Sequence, residues 1–233
     1  MSSQKKDIFI FFGPPGSGKG TVCQKIVDAD ISISHFSVGS LCRKYALEET
    51  DFGKSIKRLI DEGNLISFQD ISFMIEEYLK SFLQDSSRQI LLLDGFPRNK
   101  EQAVLLSQLY KRFSSYFSFY FLIFEIEQML LVDRMINRRV CSNIDCERVY
   151  SALDNNFHIQ CKCCSFNLIH RADDQREIIH KRISFFFDQE QDILNVFRDN
   201  NFVISSFKAE KKINDLLREV GHFFKQKNIH LSI

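Results

Sequence analysis

The chain has 233 residues, with 31 Lys plus Arg against 30 Asp plus Glu and a formal net charge of +1. Hydrophobic residues at 44% and charged residues at 26% are globular proportions, which exclude a disordered chain. So balanced a charge offers no bulk field to a polyanion, and nucleic acid is not an expected partner. The longest apolar stretch, residues 116–124, is too short to span a bilayer. Residues 8–12 are too few for a signal-peptide core, so a cytoplasmic protein without a membrane partner is expected. The length suits one large domain, or one domain carrying inserted lobes.

In chain order, residues 8–12 form the first apolar run and read as a buried strand. Directly after it comes Gly13-Pro14-Pro15-Gly16-Ser17-Gly18-Lys19-Gly20-Thr21, with the spacing of a phosphate-binding loop. Glycines let successive backbone N–H groups converge on phosphate oxygens at a helix N-terminus, and the Lys neutralises the terminal phosphates. Lys19 is expected in an exposed loop. Gly20 stands where a Ser or Thr usually ligates magnesium, and Thr21 follows one residue later. A glycine-rich turn ending in Lys by chance is the bland alternative, and the strand before it and helical pattern after it disfavour that.

Residues 39–83 carry helical patterns, with Gly53 and Gly63 as breaks and a helix start at Ser67 followed by Asp70. Residues 90–93 and 119–124 are two further buried strands, each followed by a helical pattern. Arg134 and Arg138, at i and i+4, are expected on one helix face. Arg171 and Arg182 are eleven apart and would point the same way if both were helical. The segment 139–171 has turn formers and a β-like piece, Arg148-Val149-Tyr150, and reads as a small insertion; Arg148 itself reads as a surface residue. A fourth strand, 202–204, precedes a last helix with Ile213, Leu216, Leu217, Val220 and Phe224 on one face. This alternation predicts an α/β fold, a parallel sheet flanked by helices. The 24 Phe residues read as core filling.

The loop motif, together with Asp94-Gly95-Phe96-Pro97-Arg98 closing the second strand and Gln102 beyond it, resembles the adenylate kinases among nucleoside monophosphate kinases. Three more segments extend the resemblance: Ser37-Val38-Gly39-Ser40-Leu41-Cys42-Arg43, Asp133-Arg134 with Asn137-Arg138-Arg139, and Arg171-Ala172-Asp173-Asp174 with Arg182. Two positions depart from the family pattern, Val38 for the usual Thr and Ser40 for the usual Asp. The resemblance implies a phosphate-loop kinase core (1–36, 67–137 and 175–233), a helical lobe for the nucleoside monophosphate (37–66) and a lid (138–174). It implies reversible transfer of the terminal phosphoryl group of Mg-ATP to AMP, giving two ADP. It places Gly16, Ser17, Gly18, Lys19, Gly20, Thr21, Arg138, Val149, Tyr150 and Lys208 at ATP. Val38, Arg43, Asn64, Leu65, Ile66, Gly95, Phe96, Pro97, Arg98, Gln102, Arg171 and Arg182 fall at AMP. Lys19, Arg98, Arg138, Arg171 and Arg182 serve the transfer, Asp94 holds magnesium through water, and Asp173 and Asp174 lie where the lid engages partners.

The chemistry fits that assignment, because in-line phosphoryl transfer needs positioned cations and excluded water more than a nucleophile. Arg suits the task through its planar, permanently charged fork. The Gln102 amide can pair with adenine, and when flipped with guanine; the departures at Val38 and Ser40 leave a kinase of another nucleoside monophosphate (GMP, CMP or UMP) as the alternative.

Five of the seven cysteines crowd between residues 141 and 164, and Cys141, Cys146, Cys161 and Cys164 form two pairs suited to a tetrahedral structural zinc. This is similar to the lid of zinc-bearing bacterial adenylate kinases, although the first pair is spaced by four residues where the family usually has two. Cys163 is surplus, His158 and His170 are alternative ligands, and a metal-free packed lid is the bland reading. Cys23 and Cys42 read as small buried apolar residues. A monomer is expected. An ATP-sensing zinc-knuckle protein that binds nucleic acid is the rival from another class, and both the charge balance and the full Arg set argue against it.

Overall fold

The computed structural model describes residues 5–229; residues 1–4 and 230–233, assigned to the core from the sequence, lie outside the described residues. Five strands pair in parallel: β1 (Lys6–Phe12), β2 (Ile33–Ser37), β3 (Ile90–Asp94), β4 (Phe117–Glu125) and the last, Val203–Lys208, in the order β2-β3-β1-β4 followed by that strand at the edge. The three central strands are the apolar runs of the sequence, because a strand covered on both faces needs no polar alternation. The chain turns to either side of β1, so the crevice at the carboxyl ends of β1 and β3 is where an open α/β sheet binds ligands.

Helices α1 (Lys19–Ala29), α2 (Val38–Tyr45), α3 (Asp51–Asp61), α4 (Phe68–Gln84), α5 (Lys100–Phe113), α6 (Gln128–Ile136), α7 (Arg176–Asp199) and α8 (Ile213–Gln226) complete the main unit. Side chains of β1 alternate between two buried layers. Ile8, Ile10 and Phe12 share one with Phe121, Phe197 and Phe202, while Phe9 and Phe11 share the other with Phe124 and Phe224. Rings of Phe9 and Phe224, and of Phe121 and Phe197, sit 4.0 Å apart, so phenylalanine does fill the core.

A separate antiparallel sheet lies between α6 and α7. It comprises β5 (Arg138–Cys141), β6 (Val149–Ser151) and β7 (Leu168–Ile169), in the order β6-β5-β7. A 3₁₀ turn, Ala172–Asp174, leads from it into α7. The edge strand of the main sheet, Val203–Lys208, is β8. Among the described residues no helix is long and apolar enough to cross a membrane.

Four local expectations change. Strand β2 escaped the apolar-run criterion because it is an edge strand and alternates Ser34, His35 and Ser37 with apolar residues. Gly53 does not break a helix but lies in the first turn of α3, where Thr50 Oγ1 accepts from Gly53 N–H at 3.0 Å. A Cβ there would lie 2.4 Å from the Glu48 carbonyl oxygen, so the glycine serves a close approach of backbone. Gly63, at φ +68°, does end α3, and Ser67 caps α4 by accepting from Asp70 N–H at 3.1 Å. Arg134 and Arg138 do not share a helix face, because α6 stops at Ile136 and Arg138 opens β5. Finally, β8 begins at Val203 and runs on to Lys208, past the apolar pair that marked it.

Candidate active site

The loop after β1 is cradled by backbone. A Cβ on Gly13 would lie 2.7 Å from the Phe124 carbonyl oxygen, and Gly18, at φ +93°, caps the start of α1. Lys19 does not project into solvent as the exposed-loop expectation had it. Its Nζ folds back to donate to the Gly13 and Pro14 carbonyls (2.7 and 2.9 Å) and to Ser17 Oγ (3.1 Å). Burial lowers its pKa to about 8; Asp94 works against that fall, while the cations Arg98 and Arg182 assist it. Asp94 ends β3 across from the loop, and a Cβ on Gly20 would stand 3.3 Å from its Oδ2, so glycine leaves that carboxylate room.

Arginines converge from the other wall, and carboxylates hold them. Asp173 accepts from Arg171 Nε and Nη2 (2.9 and 2.6 Å) and from Arg182 Nη1 (2.7 Å). Asp174, with a fully buried side chain, accepts from Arg138 Nε at 2.7 Å and pairs with its Nη2. Arg171 has an extended backbone, so a shared carboxylate, not a helical repeat, aligns it with Arg182. Burial would raise the Asp173 carboxyl, but Arg171 and Arg182 outweigh it and hold it well below the usual carboxylate range.

On the α2 side Arg43 Nη2 donates to Ser40 Oγ at 2.9 Å and Arg98 Nε to the Gly95 carbonyl at 2.9 Å. Both guanidiniums crowd Gly39, whose Cβ would sit 3.2 Å from Arg43 and 3.5 Å from Arg98. Gln102 is buried, and its Oε1 accepts from Arg98 N–H at 2.8 Å, which leaves one oxygen lone pair and the NH₂ for a base.

Lys19, Asp94, Gln102, Asp173 and the five arginines named above border one cleft of about 1020 Å³, which also takes in Thr21, Val38, Asn64, Leu65, Ile66, Phe96, Pro97, Val149 and Tyr150. Asp174 lies behind Arg138. Lys208 is the exception among the nucleotide-site candidates: it does not line the cleft, and its Nζ pairs with Glu125 at 2.6 Å.

The sulfurs of Cys141, Cys146, Cys161 and Cys164 lie within 4.8 Å of one another, with Cys141–Cys164 at 3.3 Å and Cys146–Cys161 at 3.7 Å. A tetrahedral ion with bonds of about 2.3 Å sets its sulfurs about 3.8 Å apart, so the donor set fits zinc. Burial would raise the Cys161 thiol, but hydrogen bonds from the Tyr150 hydroxyl and from the Cys163 and Cys164 N–H groups hold it at about 6. Cys163 is exposed, and neither it nor a histidine joins the cluster; His170 Nδ1 lies 3.3 Å from Arg139 instead. Cys23 and Cys42 are buried free thiols.

A sequence profile described as adenylate kinase matches residues 11–202. The chain belongs to the adenylate kinase family. Similar proteins include the adenylate kinase of Petrotoga mobilis, 31% identical over 94% of this chain and 98% of that protein. Those of Fervidobacterium nodosum (29%, covering 94% of this chain and 99% of that protein) and Borrelia duttonii (30%, covering 91% and 94%) are further examples. The chain is therefore a nucleotide phosphotransferase built on a phosphate-loop kinase core.

Within this family member, several residues at the site carried no sequence signal of their own. Arg148, read as a surface residue, borders the cleft and pairs with Asp28, Nη2 to Oδ1, at 2.7 Å. Glu147 reaches Arg43 from 104 residues away, and a lone Glu in a loop has nothing to mark it. His35 lines the cleft, and its buried Nε2 has no hydrogen-bond partner among the described residues. Burial keeps that imidazole neutral more strongly than Asp94 and Glu147 favour its charge.

Proposed function

We propose that the cleft transfers the terminal phosphoryl group of ATP to AMP, reversibly, through the specific residues that line it. The observation that carries this reading is the arrangement of charge: Lys19 stands at the head of α1, opposite Arg98, Arg138, Arg171 and Arg182, with Asp173 and Asp174 fixing three of those arginines. ATP lies on the loop from Gly16 to Thr21 with Lys19 at its β- and γ-phosphates, and its base stacks near Val149 and Tyr150. AMP lies between Val38, residues 64–66 and the Gly95–Arg98 turn, with its phosphate on Arg43 and Arg98 and its base facing Gln102. The arginines stabilise charge spread over the oxygens in flight, and the closed cleft keeps water from the phosphoryl group. Magnesium, held through water by Asp94, would neutralise the β- and γ-phosphates.

The supporting division is a core, a monophosphate lobe over 37–66 and a lid over 138–174. Zinc on the four clustered cysteines is structural in that lid, since four protein ligands leave no open position. The reading takes the protein as cytoplasmic and monomeric. A coupled ADP assay with ATP and, in turn, AMP, GMP, CMP and UMP tests the reaction. AMP should give the highest kcat/KM; a pyrimidine nucleotide ranking first overturns the assignment, and tight binding of a single-stranded oligonucleotide without turnover would favour the other class.

A further inference from the structure

The loop between β5 and β6, residues 142–148, makes three ion pairs across the molecule. Arg148 meets Asp28 of α1, Asp145 Oδ1 meets Lys44 Nζ at 2.9 Å, and Glu147 Oε1 meets Arg43 Nε at 2.6 Å. The Lys44–Asp145 pair sits toward solvent, its side chains 48% and 79% exposed. Exposed pairs of that kind are worth little. Arg148–Asp28, at 29% and 34% exposed, and Arg43–Glu147, at 26% and 20%, both line the cleft, but only the second engages a guanidinium assigned above to a nucleotide phosphate.

The backbone singles out Glu147 as well. Its φ is 44°, in the left-handed region where a side chain costs energy and glycine is usual, while its N–H donates to the Asn143 carbonyl at 3.0 Å. A glycine would close this turn with less strain. The side chain that stands there instead carries a carboxylate into the cleft, onto a guanidinium assigned above to the phosphate of AMP.

We propose that the Glu147 carboxylate is a placeholder for the phosphate of the acceptor nucleotide, occupying Arg43 in the empty cleft and leaving it when AMP binds. This inference rests on the assignment of Arg43 to the AMP phosphate. The chemistry allows the exchange. Glu147 brings one negative charge to the Nε side of the fork, whereas a phosphate dianion brings two and can take both prongs. Until it leaves, Arg43 is unavailable, and the apparent affinity for AMP falls by the fraction of protein in which the pair is made. The placeholder therefore acts on AMP and leaves the ATP side untouched. It also ties the loop of the cysteine cluster to the acceptor site, so filling that site frees one tether of the lid.

The test uses the full-length, metal-replete protein. Glu147→Gln removes the charge at nearly constant size, and Glu147→Gly removes it along with the backbone strain. Both should lower the Kd and KM for AMP about five- to tenfold, with kcat and the KM for ATP within about twofold. An unchanged or raised KM for AMP in both variants overturns the placeholder and leaves the contact as a lid fastener. Arg43→Ala separates this from the underlying assignment: it should raise the KM for AMP at least about tenfold, and adding Glu147→Gln to it should change nothing further. If Arg43→Ala leaves the KM for AMP unchanged, the assignment of Arg43 fails and the placeholder fails with it.

Discussion

The phosphate loop and the cysteine-bearing sheet face the same cleft but are held by different forces. The loop hangs from β1, where Ile8, Phe9 and Ile10 are wholly buried between two layers of aromatic and aliphatic side chains. Burial on that scale, at roughly 25 cal/mol per Å² of apolar surface, fixes a loop without help from its own residues. The small sheet has little such surface inside it. Its Val149 and Ile169 are exposed, as are Leu153, Ile159 and Phe166 in its connections. What it has instead is four sulfurs at one point and ion pairs to α1 and α2. A region held by clustered thiols and by ion pairs, with little apolar burial, can be released without unfolding the core. That difference suits the loop to precision and the small sheet to independent release.

The largest test of the contrast is the metal. Cys161→Ser should cost most of the zinc, whose binding is worth about 10–16 kcal/mol in small zinc domains, and should erase hydrogen-exchange protection over residues 138–171. The five-stranded sheet should keep its protection. Equal loss in both regions would break the comparison.

Lys19→Ala addresses the other side. A drop in kcat of about a hundredfold or more is expected, since the charge acts on the transferring group. Without nucleotide the Tm should move by only a few degrees, roughly, because burial of β1, not the three hydrogen bonds of Lys19, holds the loop. A large fall in Tm would show that Lys19 is a structural strut.

The depressed pKa of Lys19, about 8, sharpens this further. Below pH 8 the ammonium is already charged, and ATP binding should be nearly independent of pH as far as this group is concerned. Above pH 8 the empty loop holds it neutral, and a phosphate restores the charge by taking up a proton. ATP affinity should therefore weaken by up to about tenfold per pH unit above 8, the limit for one linked proton. Calorimetry at pH 8.5 in two buffers of different ionisation enthalpy should report proton uptake, and Lys19→Ala should abolish it.

The smallest effect concerns the acceptor pocket, which neither region controls. Val38→Thr adds a hydroxyl beside the cleft, and one hydrogen bond to the base should lower the KM for AMP several-fold, about 0.5–1.5 kcal/mol, with kcat nearly unchanged. A rise in KM instead would mean that the buried hydroxyl finds no partner.

Much of this site was legible because its signals are local. The loop from Gly13 to Thr21 needs only consecutive residues, since glycines and a helix N-terminus make the phosphate cradle within one turn of chain. The strands leading to Gly13 and Asp94 announced themselves as apolar runs because both their faces are covered. Ser67 declared the start of α4 because a cap is a contact over three residues. Strand β2 was missed because an edge strand with polar Ser and His has no such run. Lys208 pointed elsewhere because the register of β8 against β4 sets it opposite Glu125, a pairing across 83 residues.

By itself the sequence determined the parallel sheet, the phosphate loop directly after its first strand and the presence of enough Arg and Cys to furnish a cleft and a cluster of thiols. Only the tertiary structure decided which carboxylate holds which arginine: Asp174 takes Arg138, Asp173 takes Arg171 and Arg182 together, and Glu147 takes Arg43. It also brought together the four cysteines that the paired spacing had singled out, leaving Cys163 aside. The reason is physical. Hydrophobic runs and turn glycines act through neighbours in the chain, and their periodicity survives in one dimension. An ion pair such as Arg138–Asp174 or Arg43–Glu147 is a coincidence in space among residues tens of positions apart, its strength depends on a burial that only the folded chain creates, and no spacing in the sequence encodes it.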